Sequence, residues 1–600
     1  MRSLGPSETP ELQGTSSEPR LRNGARVGVV GGGPAGSFFS YFTLAAAERA
    51  ELDVGVVIHE SREFRDVGPK GCNMCGGIIS ESLVQLLAAE GISLPGTVVQ
   101  RGIDSYMLHT DAGSVRIATP LNQSRIAAVH RGSGPRDVRD VKWASFDGHL
   151  LGLALDKGAT LARGRVERIR YQNGLPAVET RDGRVQVYDC VAIASGVNSS
   201  TAKIIEGLEL PYRPPRTTRA FICEYFLGRE ALRRHIGDSM HVFLLNVPRL
   251  EFAAVIPKYD YATACLLGEN VDKALVEAFL SSPEVRGIFP PGWNPESYSC
   301  QCMPRMNVRG ATQPYADRVV FLGDCGVTRL YKDGIGGAYR TAKAAANAAV
   351  FKGLSRASFE RNFWPTCLGI SADNMIGRAA FSATRGMQKR RIGRRALISM
   401  VAEEQRQQGR RRLMSQVMWD MFTGSATYRE VVLRALHPVF VWNLLKAVIT
   451  PKPISKQAGA AAIEAASAGA LGSFYEDGEA IVRQGEEGDC MYVIQDGRAD
   501  VIVERAGREV KLRELGEGEI VGEMAIFDRA TRSATVRAVG RVRVLTVDKT
   551  TLLRRIHEDP SLAFHIVQTM SGRIRELSEE VRSLKESESA RRDEAADERC

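Results

Sequence analysis

Val27-Gly28-Val29-Val30-Gly31-Gly32-Gly33-Pro34-Ala35-Gly36 runs directly into an apolar stretch from Phe38 to Ala47. A β-favouring run, a glycine turn and a helical run in that order predict a strand–turn–helix unit. Gly31 permits the tight turn, Gly33 lets a pyrophosphate approach the backbone, and Gly36 lets the helix pack close to the strand. The helix N-terminus then faces the anion with its unpaired N–H groups and the positive end of its dipole. A second strand, Val54 to Ile58, ends in His59-Glu60, which sets Glu60 at the offset where a carboxylate accepts both ribose hydroxyls. The expectation is an α/β, Rossmann-like dinucleotide site at the start of the fold.

Working outward, 600 residues exceed what one core organises, so two to four units are expected. With 44% hydrophobic and 25% charged residues the chain is globular rather than disordered, collagen-like or coiled-coil. Eleven scattered cysteines and the lack of an apolar run after Met1 argue for a reducing compartment, hence a cytoplasmic protein without a signal peptide. The best apolar run, Val439 to Ile449, is interrupted by Asn443 and Lys446 and is too short for a spanning helix. The formal charge of +10 is concentrated. Residues 378–412 carry eleven Lys/Arg against Glu403 and Glu404, a net +9. Such a segment is either a surface for an anionic membrane, at about 1 kcal/mol per charge, or a solvated or interdomain helical face, and the latter is favoured. No nucleic-acid recognition fold accompanies it, so nucleic acid is not an expected partner.

The organisation expected along the chain is a disordered leader (1–25), then a dinucleotide-binding α/β domain (26–350) with a β-rich substrate domain inserted at about 100–300. A basic helical segment (351–450) and an Ala/Gly-rich linker (451–471) follow. Residues 472–583 show short alternating runs punctuated by Asp477-Gly478, Glu487-Gly488, Asp496-Gly497 and Gly516-Glu517-Gly518, the rhythm of a small β-barrel or jelly roll. A charged tail (584–600) closes the chain.

Far downstream of the glycine turn, Val319-Val320-Phe321-Leu322-Gly323-Asp324 reads as a strand ending in Gly-Asp, and Gly334-Ile335-Gly336-Gly337 opens an alanine-rich helix to Val350. This resembles the second flavin motif of FAD-dependent oxidoreductases of the hydroxybenzoate-hydroxylase and geranylgeranyl-reductase type, over residues 26 to 350. The resemblance implies FAD, with Gly323 and Asp324 at the ribitol chain and Gly334, Gly336 and Gly337 beneath the isoalloxazine. A helix N-terminus there favours the negative charge of reduced flavin. Pro69-Lys70-Gly71-Cys72-Asn73-Met74-Cys75-Gly76-Gly77 is similar to the Lys-Pro-Cys-Gly-Gly stretch of geranylgeranyl reductases, and Ser145-Phe146-Asp147 to their Phe-Asp helix. The chain departs from that family at Trp143, where an arginine is usual, at Ala194-Ser195-Gly196, and at Phe252 to Pro257, a reduced form of its aromatic substrate motif.

Cys72 and Cys75 form a CxxC, which reads as a redox pair, half a zinc site, or a loop that lines the flavin pocket with small apolar groups; the last is expected, and no metal. His109, His130 and His149 form no partnered arrangement, so no general base is assigned. The candidate catalytic residues are Cys75 and Lys332, the latter either an ammonium beside flavin N1 or a solvated loop lysine.

Gly522-Glu523-Met524-Ala525-Ile526 followed by Arg532-Ser533-Ala534-Thr535-Val536 resembles the phosphate cassette of cyclic-nucleotide-binding domains. In that pattern Arg532 forks onto the cyclic phosphate, Glu523 accepts from the ribose 2′-hydroxyl, and Gly522 and Ser533 complete the loop. Leu562, Ile566, Met570, Ile574, Leu577 and Val581 recur at helical spacing, predicting an amphipathic helix that closes over ligand or packs on a partner.

Together these readings imply an FAD-dependent oxidoreductase that reduces carbon–carbon double bonds of a hydrophobic, isoprenoid-like substrate and is regulated by cAMP or cGMP. NAD(P)H is the candidate electron donor. The alternatives are a single-component flavin monooxygenase on the same fold and a non-catalytic, nucleotide-responsive flavin-binding protein.

Overall fold

A computed structural model describes residues 18–597 apart from Asn73, 120–122, Arg139, Ser200, 407–411, 451–469, Ala506 and 528–530. The linker expected at 451–471 therefore lies almost wholly outside the described residues, as do residues 1–17 of the leader.

The chain divides into two units. The first comprises the chain up to Phe64, Asp147–Arg219 and Pro304–Arg378. Its core is a six-stranded sheet in the order Tyr315–Ala316, Val319–Phe321, Cys190–Ile193, Ala25–Val30, Val54–His59, Thr160–Ala162. All neighbours are parallel except the first pair. Val191, Ala192, Ile193, Val319, Val320 and Phe321 are fully buried, the continuous apolar character of strands covered on both faces. The helices Pro34–Arg49 and Gly334–Phe351 pack on each other, and buried Ala46, Ala342, Ala345, Ala346 and Ala349 keep their axes close. Residues 18–25 are not a leader. The Glu18 carboxylate accepts from the Ser355 N–H at 2.9 Å and its hydroxyl at 2.7 Å, and the Pro19 carbonyl accepts from the Leu354 N–H at 2.7 Å.

The second unit comprises Arg65–Phe146, Ala220–Met303 and the chain from Ala379. It begins well before residue 100, and 147–219 return to the first unit instead of belonging to an insertion at 100–300. The reason is Cys190–Ile193, a short buried strand paired to Val27–Val30, which in sequence cannot be told from the strands around it. The second unit's main sheet runs Cys300–Cys302, Arg216–Phe226, Tyr261–Gly268, Leu250–Lys258, Ser239–Phe243, Ser105–Thr110, Gly113–Ala118. Among the described residues, Trp364–Lys389 runs from the first unit into the second, and the helices Arg391–Arg406 to Pro438–Ile449 then precede a separate β-structure whose long strands Cys490–Arg505 and Thr535–Asp548 pair antiparallel.

The basic segment is divided between two roles. Arg394 is buried against the Asp111 carboxylate and the Gln388 carbonyl, and Arg385 pairs with Glu251 at 3.1 Å and Glu269 at 2.9 Å. Lys389, Arg390, Arg391 and Arg395 are exposed, whereas Arg410 and Arg411 lie outside the described residues. The C-terminal helix extends over Ser561–Asp597, through the expected tail. Leu562 and Ile566 are buried while Ile574, Leu577 and Val581 are exposed, so its periodic stripe is packed only at its start.

Glu81, in the first turn of the helix Glu81–Ala89 capped by Ser80, joins distant parts of the second unit. Its buried carboxylate pairs with Arg125 at 2.8 Å and accepts from the Trp419 indole N–H at 2.7 Å and the Ser425 hydroxyl at 2.9 Å. Arg125 also reaches Asp548 at 3.2 Å, Arg555 donates to Ser82 Oγ at 2.6 Å, and Arg543 donates to the Leu94 carbonyl at 3.2 Å. The C-terminal β-structure is thereby held to the first turn of a helix that directly follows the Cys72–Gly77 loop.

Two predictions follow from these buried groups. Glu81→Ala leaves Arg125 with the half-exposed Asp548 and the Thr546 carbonyl and strands the Trp419 N–H, and removal of one partner of a buried pair costs about 3 to 5 kcal/mol; the denaturant midpoint of the second unit should drop accordingly, and an unchanged midpoint refutes the role. The second concerns His109 and His241, stacked at 5.1 Å. The His241 Nε2–H donates to the Ile236 carbonyl at 3.0 Å, so its Nδ1 accepts from the His109 Nε2–H at 2.9 Å and His109 Nδ1 accepts from Ser114 Oγ at 2.8 Å. Burial holds His109 well below the usual imidazole value and lowers His241 to about 4. In the first unit burial, with Arg26, also lowers His59 to about 4. The unfolded chain binds these protons as pH falls below about 6.5 while the folded chain does not, so stability is full above that pH and falls on acidification. The slope approaches about 1.4 kcal/mol per pH unit for each histidine. Urea midpoints should be flat from about pH 8 to 6.5 and decline toward pH 5; no decline in that window overturns the assignment.

Candidate functional site

In the first unit, the strand Ala25–Val30 delivers the chain into Gly31 at φ +106°, a conformation that only glycine adopts without strain. A Cβ on Gly31 would sit 2.6 Å from the Ala194 carbonyl oxygen, and one on Gly36 would overlap the carbonyl of Gly31. Gly33 caps the helix in extended geometry with Pro34 at its first position. Glu60 is tied to this turn: Oε2 accepts from the Gly32 N–H at 2.9 Å and Oε1 from the Arg62 N–H at 2.8 Å. Each oxygen keeps a second lone pair, so the carboxylate is oriented and still able to accept from a diol. Tyr188 lies across Gly28, where a Cβ would meet its ring at 2.7 Å, and its hydroxyl bonds His59 Nε2 at 2.7 Å.

The Val319–Phe321 strand ends in a one-turn 3-10 helix, Gly323–Cys325, with Gly323 at φ +59°. The Gly323 N–H donates to Thr341 Oγ1 at 3.1 Å, and Asn307 Nδ2 donates to the Asp324 carbonyl at 2.8 Å, which leaves the Asp324 side chain exposed at the sheet's C-terminal edge. A Cβ on Gly334 would lie 3.8 Å from both Asp324 Oδ1 and Thr328 Oγ1, and one on Gly337 only 2.7 Å from Thr328 Oγ1. The structure therefore brings Asp324 and the first turn of the Gly334–Phe351 helix together. The buried Thr328 Oγ1 has no hydrogen-bond partner among the described residues. An orphaned hydroxyl beside a side-chain-free helix start, and the cradle at Gly31 and Gly36, fit a flavin dinucleotide.

Two features differ from the sequence expectation. Asp333, at φ +56°, folds its carboxylate over the first turn, where a Cβ on Gly336 would overlap it, and pairs with Arg340 at 3.1 Å. The positive end of that helix is thus shared with an acid of the chain itself, a feature announced in the sequence by Asp333 immediately before the glycine run. Lys332 is half-buried, and burial together with Arg329 holds its amine well below the usual lysine value.

In the second unit, the sheet gathers a polar cluster that the sequence reading missed. Ile222 pairs with Cys265 on one neighbouring strand and Cys302 on the other, which sets the two cysteines in one row. One row along, buried Lys258 donates to Glu224 Oε1 at 3.1 Å and Thr263 Oγ1 donates to Glu224 Oε2 at 2.6 Å. The Cys72–Gly77 loop lies over this face: a Cβ on Gly76 would meet Cys265 Sγ at 2.9 Å and one on Gly77 the Lys258 Nζ at 3.1 Å. Backbone N–H groups of Met74 and Gly77 reach the sulfurs of Cys72 and Cys75 at 3.2 and 3.4 Å. Burial pushes the Cys72 and Cys265 thiols up and Cys302 to about 12, which keeps them protonated and weighs against thiolate chemistry. Among the described residues no group of three or more His, Cys, Asp or Glu is arranged to hold a metal ion. His130 stacks on Trp143 at 5.2 Å and is held neutral by burial and by Lys258. In the first unit Ser195 Oγ bonds Thr201 Oγ1 at 2.7 Å.

The C-terminal β-structure brings its cassette residues together as well. Gly522, at φ +78°, and buried Glu523 lead into the short helix Met524–Phe527. The guanidinium of Arg532 donates to the carbonyls of Gly522 and Cys490, each at 2.7 Å, and lies 5.9 Å from the Tyr492 ring centre. Ser533 is exposed beside it. Glu523 pairs with Arg573 of the C-terminal helix, which also donates to the Ile520 carbonyl at 2.5 Å. Arg573 had no sequence signal beyond its place on the periodic helix.

The family model of the cyclic nucleotide-binding domain matches residues 473–559. Over 112 residues the chain is 39% identical to a putative potassium channel protein of Rhodopseudomonas palustris, a match covering 18% of this chain and 26% of that protein. Over 81 residues it is 41% identical to the cAMP-dependent protein kinase regulatory subunit of Mucor circinelloides, covering 14% of this chain and 19% of that protein. The chain thus spans about a quarter or less of these relatives, and the likeness is confined to one domain. Among solved structures it is similar to a mutant of the halogenase PltM in complex with FAD (14% identity, TM-score 0.46, 73% of this chain and 94% of that one). It is also similar to p-nitrophenol 4-monooxygenase PnpA from Pseudomonas putida (14% identity, TM-score 0.44, 68% and 99%). Likenesses of that strength carry no argument about chemistry. Residues 473–559 belong to the cyclic nucleotide-binding domain family.

Proposed function

We propose that the chain is an FAD-dependent oxidoreductase acting on a hydrophobic substrate under the control of a cyclic nucleotide. The observation that carries the reading is the pairing, within one unit, of the Gly31 turn and Glu60 with Asp324 and the glycine start of the Gly334–Phe351 helix. Gly31, Gly33 and Gly36 leave room for the pyrophosphate, Glu60 accepts from the ribose, Asp324 from the ribitol, and Thr328 Oγ1 finds its partner on the ring system. Bound FAD would supply hydride chemistry at that helix start. Reduction of a carbon–carbon double bond in an isoprenoid-like substrate, with NAD(P)H as donor, is the finer reading and rests on the Pro69–Gly77 stretch. A monooxygenase on the same fold would need O₂ for turnover, so anaerobic turnover separates the two.

Regulation rests on Arg532 and Glu523. Both are buried and hold partners of the chain itself, so an incoming phosphate and ribose would compete with the Gly522 and Cys490 carbonyls and with Arg573. Arg573 belongs to the C-terminal helix; Arg125 and Arg555 tie this domain to the start of the Glu81–Ala89 helix, which follows the Cys72–Gly77 loop in sequence, and Arg543 ties it to the Leu94 carbonyl beyond that helix's end. Occupancy at Glu523 would displace Arg573, so the coupling would run through the packing of the C-terminal helix.

Purified protein should carry FAD, and Asp324→Ala should weaken its retention by about 1.5 to 3 kcal/mol, the worth of a hydrogen bond to a charged acceptor; unchanged flavin occupancy and affinity would remove the assignment. Calorimetry on the full chain should show binding of cAMP or cGMP, and Arg532→Ala should cost about 2 to 5 kcal/mol of affinity. No heat with either nucleotide sinks the sensor, and binding without any change in flavin reduction rate sinks the coupling.

A further inference from the structure

The helices Tyr428–Ala435 and Pro438–Ile449 meet at 65° and are built the wrong way round for a surface of a globular protein. Their inward sides are fixed. A capping box joins Thr427 and Glu430, Tyr428 and Val431 are buried, Arg434 pairs with Asp420, and Glu430 with Arg554. Their outward sides are apolar: Leu436 is 66% exposed, Trp442 68% and Ile449 77%, with Leu433, Val439 and Leu445 also exposed. An exposed tryptophan amid exposed aliphatics on a rigidly held helix marks an interaction site rather than ordinary solvated surface.

The charges beside this face decide what it fits. The Pro438–Ile449 helix packs on Arg391–Arg406, whose outer side presents Arg391, Ile392 and Arg395 next to exposed Lys389 and Arg390, and Lys446 projects from the apolar helix itself. Three acids on the neighbouring elements are engaged by the chain itself: Asp111, though exposed, pairs with Arg394, Asp420 with Arg434, and Glu404 accepts from the Met414 and Ser415 N–H groups. Apolar side chains with tryptophan, rimmed by arginine and lysine, are the composition of an element that lies in a headgroup region. Twelve helical residues reach only ~18 Å, against a hydrocarbon core of ~30 Å, and the bend prevents the two helices from continuing as one rod. Neither helix alone is long and apolar enough to cross, and the buried Tyr428 and Val431 with the Glu430 and Arg434 ion pairs hold the first against the protein, an arrangement suited to lying in a bilayer surface.

We propose that this face docks the protein on an anionic lipid bilayer. The Pro438–Ile449 helix enters the interface by Trp442, Leu445 and Ile449, and the exposed part of the basic segment 378–412 faces the phosphates. This surface does not depend on the flavin or nucleotide readings.

The test is co-sedimentation of the full-length protein with phosphatidylcholine vesicles containing about 30% phosphatidylglycerol and with pure phosphatidylcholine vesicles. Expected are binding to the anionic vesicles that weakens with salt, and a partition coefficient about tenfold or more lower in Leu445→Glu/Ile449→Glu and in Arg390→Glu/Arg395→Glu. Brominated acyl chains should quench tryptophan fluorescence of the parent protein and not of Trp442→Phe, a readout that needs no destabilising substitution. The proposal is overturned by absence of binding to anionic vesicles, by binding that the Leu445/Ile449 substitutions leave unchanged, or by quenching that persists in Trp442→Phe. It is equally overturned if sedimentation velocity without lipid shows a self-association that those substitutions abolish, which would assign the face to a second copy of the chain.

Discussion

The Glu81 carboxylate is the contact on which the second unit turns. It is buried, it sits where a helix dipole stabilises an anion, and it satisfies an arginine, an indole N–H and a hydroxyl from three separate parts of the chain. A buried charge is tolerable only when its partners are complete, so the positions of Arg125, Trp419 and Ser425 are set together. Arg125 passes the constraint to Asp548 and thereby to the cyclic nucleotide-binding domain. Cys72–Gly77 precedes the same helix turn, so the loop over Lys258 and the cyclic nucleotide-binding domain share one support.

The first unit solves a different problem. Its glycine turn and its second helix start both expose backbone N–H groups at the C-terminal edge of a parallel sheet, which is where such sheets receive anions. Side chains are excluded by contact, at Gly31 by the Ala194 carbonyl and at Gly337 by Thr328. Two carboxylates, Glu60 and Asp324, flank this backbone surface as acceptors, and Asp333 adds a third charge that Arg340 balances. The site is thus built mainly from main chain, with a few oriented carboxylates deciding which ligand atoms it accepts.

Much of the local geometry of both candidate sites was legible because their residues act through local spacing. Gly31 to Gly36 and Gly522 to Arg532 lie within single turns, so their geometry is carried by the φ angles and short loops that those residue types select. The Lys258–Glu224 pair, the His109–His241 stack and the Glu81 cluster were not, since their partners stand 34, 132 and 338 residues apart and meet only when strands and helices have docked. The partners of the basic segment were hidden for the same reason: Asp111 takes Arg394, and Glu251 and Glu269 take Arg385, from 283 residues away in the first case and 116 from Glu269.

What the sequence by itself determined is the order of local motifs: a strand, glycine turn and helix, a second glycine-started helix after Gly-Asp, a helical stretch, and a β-rich cyclic nucleotide-binding domain. These are choices of turn, cap and periodicity, which neighbouring residues make among themselves. What only the tertiary structure decided is which strand stands beside which, so that 147–219 return to the first unit, and which charges and apolar faces remain open after docking. Periodicity in Pro438–Ile449 identifies a helix; that Phe440 turns inward while Trp442, Leu445 and Ile449 stay in solvent depends on the single face that Arg391–Arg406 covers. Burial is a property of the assembled surface, and no short stretch of chain contains the residues that will cover it.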